Sequence, residues 1–145
     1  MTFPTRTEYE TLAYGLPEKH QEIASSTLRF YSTSSLTAVV EGELLFHNGL
    51  KLRVLEVLDF KAGKIQSYSY AVYRGNEKIR WYDPQPHPEN PALAANFPHH
   101  FHEPPNIKQN RQPALGIGFE APNWATLIAN CQELSQHQPD TGEQT

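Results

Sequence analysis

The sequence predicts an α+β domain: an antiparallel meander sheet of four or five strands, N-terminal and C-terminal helices packed on it, and one long loop rich in proline and histidine. Three observations lead there. The hydrophobic period is helical at both ends of the chain and alternating in between, from Ser26 to about Tyr82. Short glycine-containing turns interrupt the alternating part, and tight turns force neighbouring strands to run antiparallel. Past Asp83 the prolines come too densely for either pattern.

At the start, Tyr9, Leu12 and Ala13 recur at i, i+3 and i+4, which predicts a helix over residues 7–13. Gly15-Leu16-Pro17 breaks it, and Pro17 suits the first turn of a second short helix over residues 17–23. Leu28, Phe30 and the run over residues 36–46 are rich in β-branched and aromatic residues, as strands are. Asn48-Gly49 then marks a hairpin, because both turn positions tolerate φ > 0. It leads into residues 50–60, the clearest strand of the chain. Ala62-Gly63-Lys64 turns into residues 65–73, and Arg74-Gly75-Asn76-Glu77 turns into residues 78–82. Loop is expected from there to about Pro122, with Phe97, Phe101, Ile107, Leu115, Ile117 and Phe119 anchoring it as an ordered cover. Asn123 can cap a last helix over residues 124–134, whose Leu127, Ile128, Cys131 and Leu134 form one apolar stripe. Residues 1–134 thus read as a single domain, and residues 135–145 as a mobile tail without an apolar anchor.

Composition narrows the function. With 145 residues, 38% of them hydrophobic, the chain is long enough for one core. A net charge of −4 and a pI near 5.9 exclude the broad basic surface of a nonspecific nucleic-acid binder. One cysteine excludes an internal disulfide or a Cys-rich zinc site. No run approaches the ~20 apolar residues of a membrane span, and the first residues lack a secretory pattern. A cytoplasmic protein with no membrane partner is the expectation.

Chemistry concentrates in Pro98-His99-His100-Phe101-His102, with His87 upstream. Imidazoles give and take protons near neutral pH, so His99, His100 and His102 are candidate acids and bases for phosphodiester cleavage. The same side chains with His87 can instead offer ligands to zinc or another divalent ion, or serve only as hydrogen-bonding groups in a loop. Lys108 and Arg111 form a basic patch beside them, suited to phosphate. Glu56 stands on the apolar face of the clearest strand, where a carboxylate is costly unless partnered. It is a candidate for proton transfer, or else the partner of Arg53 or Arg80. Tyr70 and Tyr82 lie on strands, where aromatics stack bases or, more often, fill a core. Asp83 can orient a histidine or accept the bonds of a turn.

These motifs resemble the TumE family, toxin components of prokaryotic two-gene toxin–antitoxin systems. The resemblance rests on Ile79-Arg80-Trp81-Tyr82-Asp83-Pro84-Gln85-Pro86-His87-Pro88, on Phe97-Pro98-His99-His100-Phe101-His102 and on Pro105-Asn106-Ile107-Lys108-Gln109-Asn110-Arg111. It extends to the strand containing Leu52-Arg53-Val54-Leu55-Glu56 and to the helix begun by Asn123, and so spans residues 26–131. Many relatives carry Lys where Phe101 stands, which leaves phosphate contacts to Lys108 or Arg111 here. The resemblance implies a growth-inhibiting toxin neutralised by a cognate antitoxin with a helix-turn-helix domain. Many toxins of this size and layout are ribonucleases. The combined expectation is a metal-independent endoribonuclease without cofactor: His99, His100, His102 and Glu56 as catalytic groups, and Lys108, Arg111, Tyr70, Tyr82, Asp83 and His87 binding the RNA. Two alternatives stand beside it. One is a metal-dependent nuclease or hydrolase using the same histidines, the other a non-catalytic binder of a cellular target.

Overall fold

The computed structural model describes residues 2–136 of the chain. Helix α1 (Arg6–Tyr14) opens with a reciprocal cap: the Glu8 amide donates to Thr5 Oγ1 at 3.2 Å, and the Thr5 amide donates to Glu8 Oε1 at 2.9 Å. A one-turn helix α2 (Leu16–Lys19) follows, with Pro17 in its first turn. The described residues then form eight strands of one antiparallel sheet. They are β1 (Ile23–Ser26), β2 (Arg29–Ser32), β3 (Thr37–Phe46), β4 (Leu50–Asp59), β5 (Lys64–Arg74), β6 (Glu77–Asp83), β7 (His100–His102) and β8 (Arg111–Pro113). From β3 to β8 each strand pairs with the next in sequence, while β1 and β2 both pair with β3 at the far edge. Helix α3 (Trp124–Gln136) closes the described chain.

The α+β class and the meander stand, but the strand count does not: there are eight where four or five were expected. Three physical reasons account for the difference. The expected second helix ends at Lys19 because His20 is already extended, so Ile23 begins a strand instead. β1 and β2 are four residues each, too short for a period of two to stand out. The long loop supplies a 3-10 turn (Pro91–Leu93) and two three-residue strands, β7 and β8, which extend the sheet although β8 itself ends in Pro113. Of the tail expected at residues 135–145, the first two residues belong to α3, and residues 137–145 lie outside the described part.

One face of the sheet is covered. Tyr9 and Ala13 of α1, Leu16 of α2, and Trp124, Leu127, Ile128 and Cys131 of α3 pack on it. Beneath them lie Leu52, Val54 and Leu58 of β4 and Tyr68, Tyr70 and Val72 of β5. Asn123 does precede α3, its carbonyl accepting from the Leu127 amide. Its side chain, however, is turned away from the helix: Oδ1 accepts from the Gly118 amide, and Nδ2 donates to Gly118 O and to Tyr70 Oη.

Gly42 makes the far edge possible. β1 pairs with residues 44–46 of β3 and β2 with residues 38–41, so the chain crosses between them beside Gly42. Gly42 has φ +140°, and a Cβ there would lie 2.5 Å from the Thr27 carbonyl oxygen and 2.8 Å from Leu28 Cα. Backbone atoms on both counts leave no flexible group to yield. Gly42→Ala is expected to destabilise the domain by about 2 kcal/mol or more, from strain and displacement together. Urea unfolding of the two proteins measures this; an unchanged midpoint would contradict it.

Candidate functional site

The pairing of β6 with β7 builds the centre of the site. Its register sets Trp81 opposite His102, Tyr82 opposite Phe101 and Asp83 opposite His100. Because side chains alternate, Trp81, Asp83, His100 and His102 share the face away from the helices, and Tyr82 and Phe101 point into the core. The Asp83 carboxylate meets both imidazoles: Oδ1 lies 3.2 Å from His100 Nε2, and Oδ2 lies 3.1 Å from His102 Nε2. The two Nε2 atoms are 3.1 Å apart. His100 Nδ1 lies 3.2 Å from the Pro98 carbonyl, and since a carbonyl only accepts, this nitrogen carries the proton. His102 Nδ1 is buried without a hydrogen-bond partner among the described residues. Burial is the largest influence on His102 and lowers its pKa, against the opposing pull of Asp83. The indole of Trp81 stacks on His102 with ring centroids 4.8 Å apart.

His99 points elsewhere. Its Nδ1 lies 2.6 Å from Tyr68 Oη, the two rings stack at 5.7 Å, and Phe119 closes the other side. Burial lowers the pKa of His99 and, together with the charge of Asp83, raises that of Tyr68. The tyrosine therefore keeps its proton and donates it to a neutral His99. Tyr68 and Asp83 come together in one open groove of about 370 Å³, lined also by Ser69, Trp81, Pro84 and Gln85. The groove has a simple origin. β6 pairs with β5 only over residues 70–74 of β5 and ends at Asp83, so among the described residues Tyr68 and Ser69 pair with β4 on one side and with no strand on the other.

The family model of toxin TumE matches residues 13–134. The chain belongs to the TumE toxin family. No curated protein and no solved structure matches it. Membership makes this protein a toxin of a toxin–antitoxin system, with a cognate antitoxin as its partner. No helix among the described residues is long and apolar enough to cross a membrane.

In this TumE-family toxin the residues expected at the site divide into two groups. Asp83 lines the groove, His100 and His102 stand behind it on Asp83 and His99 on Tyr68, and His87 lies against His100 with ring centroids 5.1 Å apart. Arg111 pairs with His102 across β7 and β8, and Lys108 is exposed on the turn between those strands. Tyr70, Tyr82 and Glu56 do not join them; all three are fully buried on the helix-covered face. Tyr82 accepts from Arg80 Nη1 and Asn130 Nδ2. Phe101 points the same way, with the Arg80 guanidinium 3.9 Å over its ring. The residue at that position therefore faces away from the groove. Arg53 and Arg80, the arginines considered for Glu56, pair with Glu43 and Glu103 instead. Tyr68 shares a strand face with Tyr70 and is buried in the core, yet it also lines the groove and bonds His99, which strand alternation alone does not reveal.

Glu56 has become a structural hub. It accepts from Tyr9 Oη at 2.6 Å and Tyr70 Oη at 2.5 Å, and Tyr70 in turn accepts from Asn123. Burial pushes its pKa up to about 7, although both tyrosines favour the charged form. In the unfolded chain a glutamate titrates near 4.3. Between those values the folded state holds a proton that the unfolded state has lost, so stability falls as pH rises from about 4.5 to 7. The loss across the whole titration amounts to about 4 kcal/mol. Glu56→Gln, which can accept from one tyrosine and donate to the other, should remove this slope. Chemical denaturation from pH 4.5 to 8 checks it; an equal slope in both proteins would refute the assignment.

Proposed function

We propose that this TumE-family toxin is an endoribonuclease whose cleavage site is the groove between Asp83 and Tyr68. The observation that carries the reading is that two separate proton-holding groups border it, the triad of Asp83 with His100 and His102, and the pair of Tyr68 with His99. RNA cleavage needs a base on one side of the phosphate and an acid on the other. Asp83 takes the proton of the ribose 2′-hydroxyl as its oxygen attacks phosphorus. The phosphorus–5′-oxygen bond breaks, and Tyr68 gives its proton to the departing oxygen. A 2′,3′-cyclic phosphate and a 5′-hydroxyl result. His100 and His102 accept the proton from Asp83, and the Tyr68 oxygen regains its proton from water while His99 Nδ1 holds it in place, so all three histidines act behind the groups that touch the RNA. Their burial suits that role. Arg111, with Lys108 from the neighbouring turn, stabilises the charge gathering on the phosphoryl oxygens. No step requires a metal ion. The RNA is reached in the cytoplasm, and the antitoxin is one with a helix-turn-helix domain.

Single-turnover cleavage of total RNA in the presence of a chelator tests this. The chain should cut, and Asp83→Asn and Tyr68→Phe should each slow cutting by about 10²-fold or more. Tyr68→Phe keeps the ring and its stacking, so its thermal midpoint should stay within a few degrees. Cutting at the unaltered rate by either folded variant would refute the reading.

A further inference from the structure

We infer that Asp83, His100 and His102 form a binding site for one divalent transition-metal ion of the zinc class, and that the bound ion shuts the groove's proton chemistry off. The second half rests on the ribonuclease reading; the first stands without it. One ligand atom from each residue lies within 4.8 Å of the other two. The two imidazole nitrogens are 3.1 Å apart, and the carboxylate oxygens lie 3.1 and 3.2 Å from them. Ligands about 2.0–2.1 Å from a tetrahedral zinc stand about 3.3 Å from one another, so little movement is required.

Chemistry at His100 agrees with the spacing. The Nδ1 proton of His100 goes to the Pro98 carbonyl, which leaves the Nε2 lone pair of the neutral ring aimed at the cluster. A ligating imidazole is commonly fixed in this way by its other nitrogen. That lone pair then faces the Asp83 carboxylate at 3.2 Å, an arrangement that only a further proton or a cation makes favourable. Two imidazoles and one carboxylate match zinc, cobalt and related ions better than magnesium or calcium, which select oxygen. The side chains of His100 and His102 are 1% and 4% exposed, and that of Asp83 is 14% exposed. The remaining coordination positions therefore open toward the groove at Asp83. His99 takes no part, since Tyr68 occupies its Nδ1.

An ion held by these atoms occupies the lone pairs that would otherwise take protons. Occupied, the site can neither accept from the 2′-hydroxyl through Asp83 nor pass the proton to His100 or His102.

The test uses the full chain, stripped with chelator and dialysed. Cobalt(II) is titrated in while its visible absorption is followed, and RNA cleavage is measured at each step. One equivalent should bind, with the absorption of a four- or five-coordinate nitrogen and oxygen site, and cleavage should fall at least tenfold, returning on chelation. His102→Ala and Asp83→Asn should each weaken binding at least tenfold, consistent with loss of one ligand in three. Circular dichroism establishes that both variants are folded, and Tyr68→Phe, which alters no ligand, should bind cobalt as the unaltered chain does. Failure to bind near one equivalent, or equal binding by the folded ligand variants, overturns the site and leaves the ribonuclease reading untouched. Cobalt bound with cleavage raised overturns the inhibitory role together with the metal-free mechanism. Cobalt bound by a chain that cuts no RNA in either state supports the site and overturns the ribonuclease reading.

Discussion

Three residue pairs between β6 and β7 hold the candidate site together. In a ladder of period two, a slip of one residue exchanges the faces of every side chain. Were His100 opposite Tyr82 instead of Asp83, the histidines would no longer meet the carboxylate, and Phe101 would be turned out of the core. The register is secured from the core side. Tyr82 is buried under α3 with its hydroxyl held by Arg80 and Asn130, and Phe101 packs against both Tyr82 and the Arg80 guanidinium. Arg80 is itself fixed by Glu103, just beyond β7. Apolar packing on one face thus sets polar geometry on the other.

The sheet also keeps two polar systems apart. Glu56, Tyr9, Tyr70 and Asn123 are closed off beneath the helices and bonded in series, with Asn123 held also by the Gly118 backbone. A buried network of this kind ties α1, β4, β5 and the start of α3 into one arrangement, because every member loses its partner if one element shifts. The Asp83 cluster lies on the opposite face, where β6 departs and leaves a groove. Tyr68 connects the two regions: its ring stacks on Tyr70 at 4.7 Å, and its hydroxyl reaches His99. Scaffold and site share a strand but not a proton path.

The sequence was most legible where elements are long. β3, β4 and β5 and the turns between them follow from alternation and from Asn48-Gly49 and its counterparts, and α3 from its stripe of Leu127, Ile128 and Cys131. Where pairing partners are distant, local pattern carries little. β7 has three residues, and only its union with β6, seventeen residues upstream of its start, and with β8 makes it a strand. The histidine cluster and Asp83 were visible as candidates, because imidazoles so close in sequence are uncommon and Asp83 ends a strand. Which of them converge was not. His99 and His100 are adjacent, yet one turns to Tyr68 and the other to Asp83. Glu56 was conspicuous for a sound reason, a carboxylate on an apolar face. Its partners proved to be tyrosines from α1 and β5, which no spacing in the strand itself announces.

The central claim is that RNA lies in the groove between Asp83 and Tyr68. The most direct measurement is a nuclear magnetic resonance titration of the full chain with a short RNA whose 2′-hydroxyls are methylated, so that it binds without being cut. The indole N–H of Trp81, which donates to Ser69 Oγ at 3.2 Å, is a clean reporter beside the groove. With RNA in the groove, this signal and the amides of Ser69, Asp83 and Gln85 shift in proportion to bound RNA. Shifts confined to the open face of β3 and β4, around Leu45 and Leu55, with Trp81 unmoved, would contradict it.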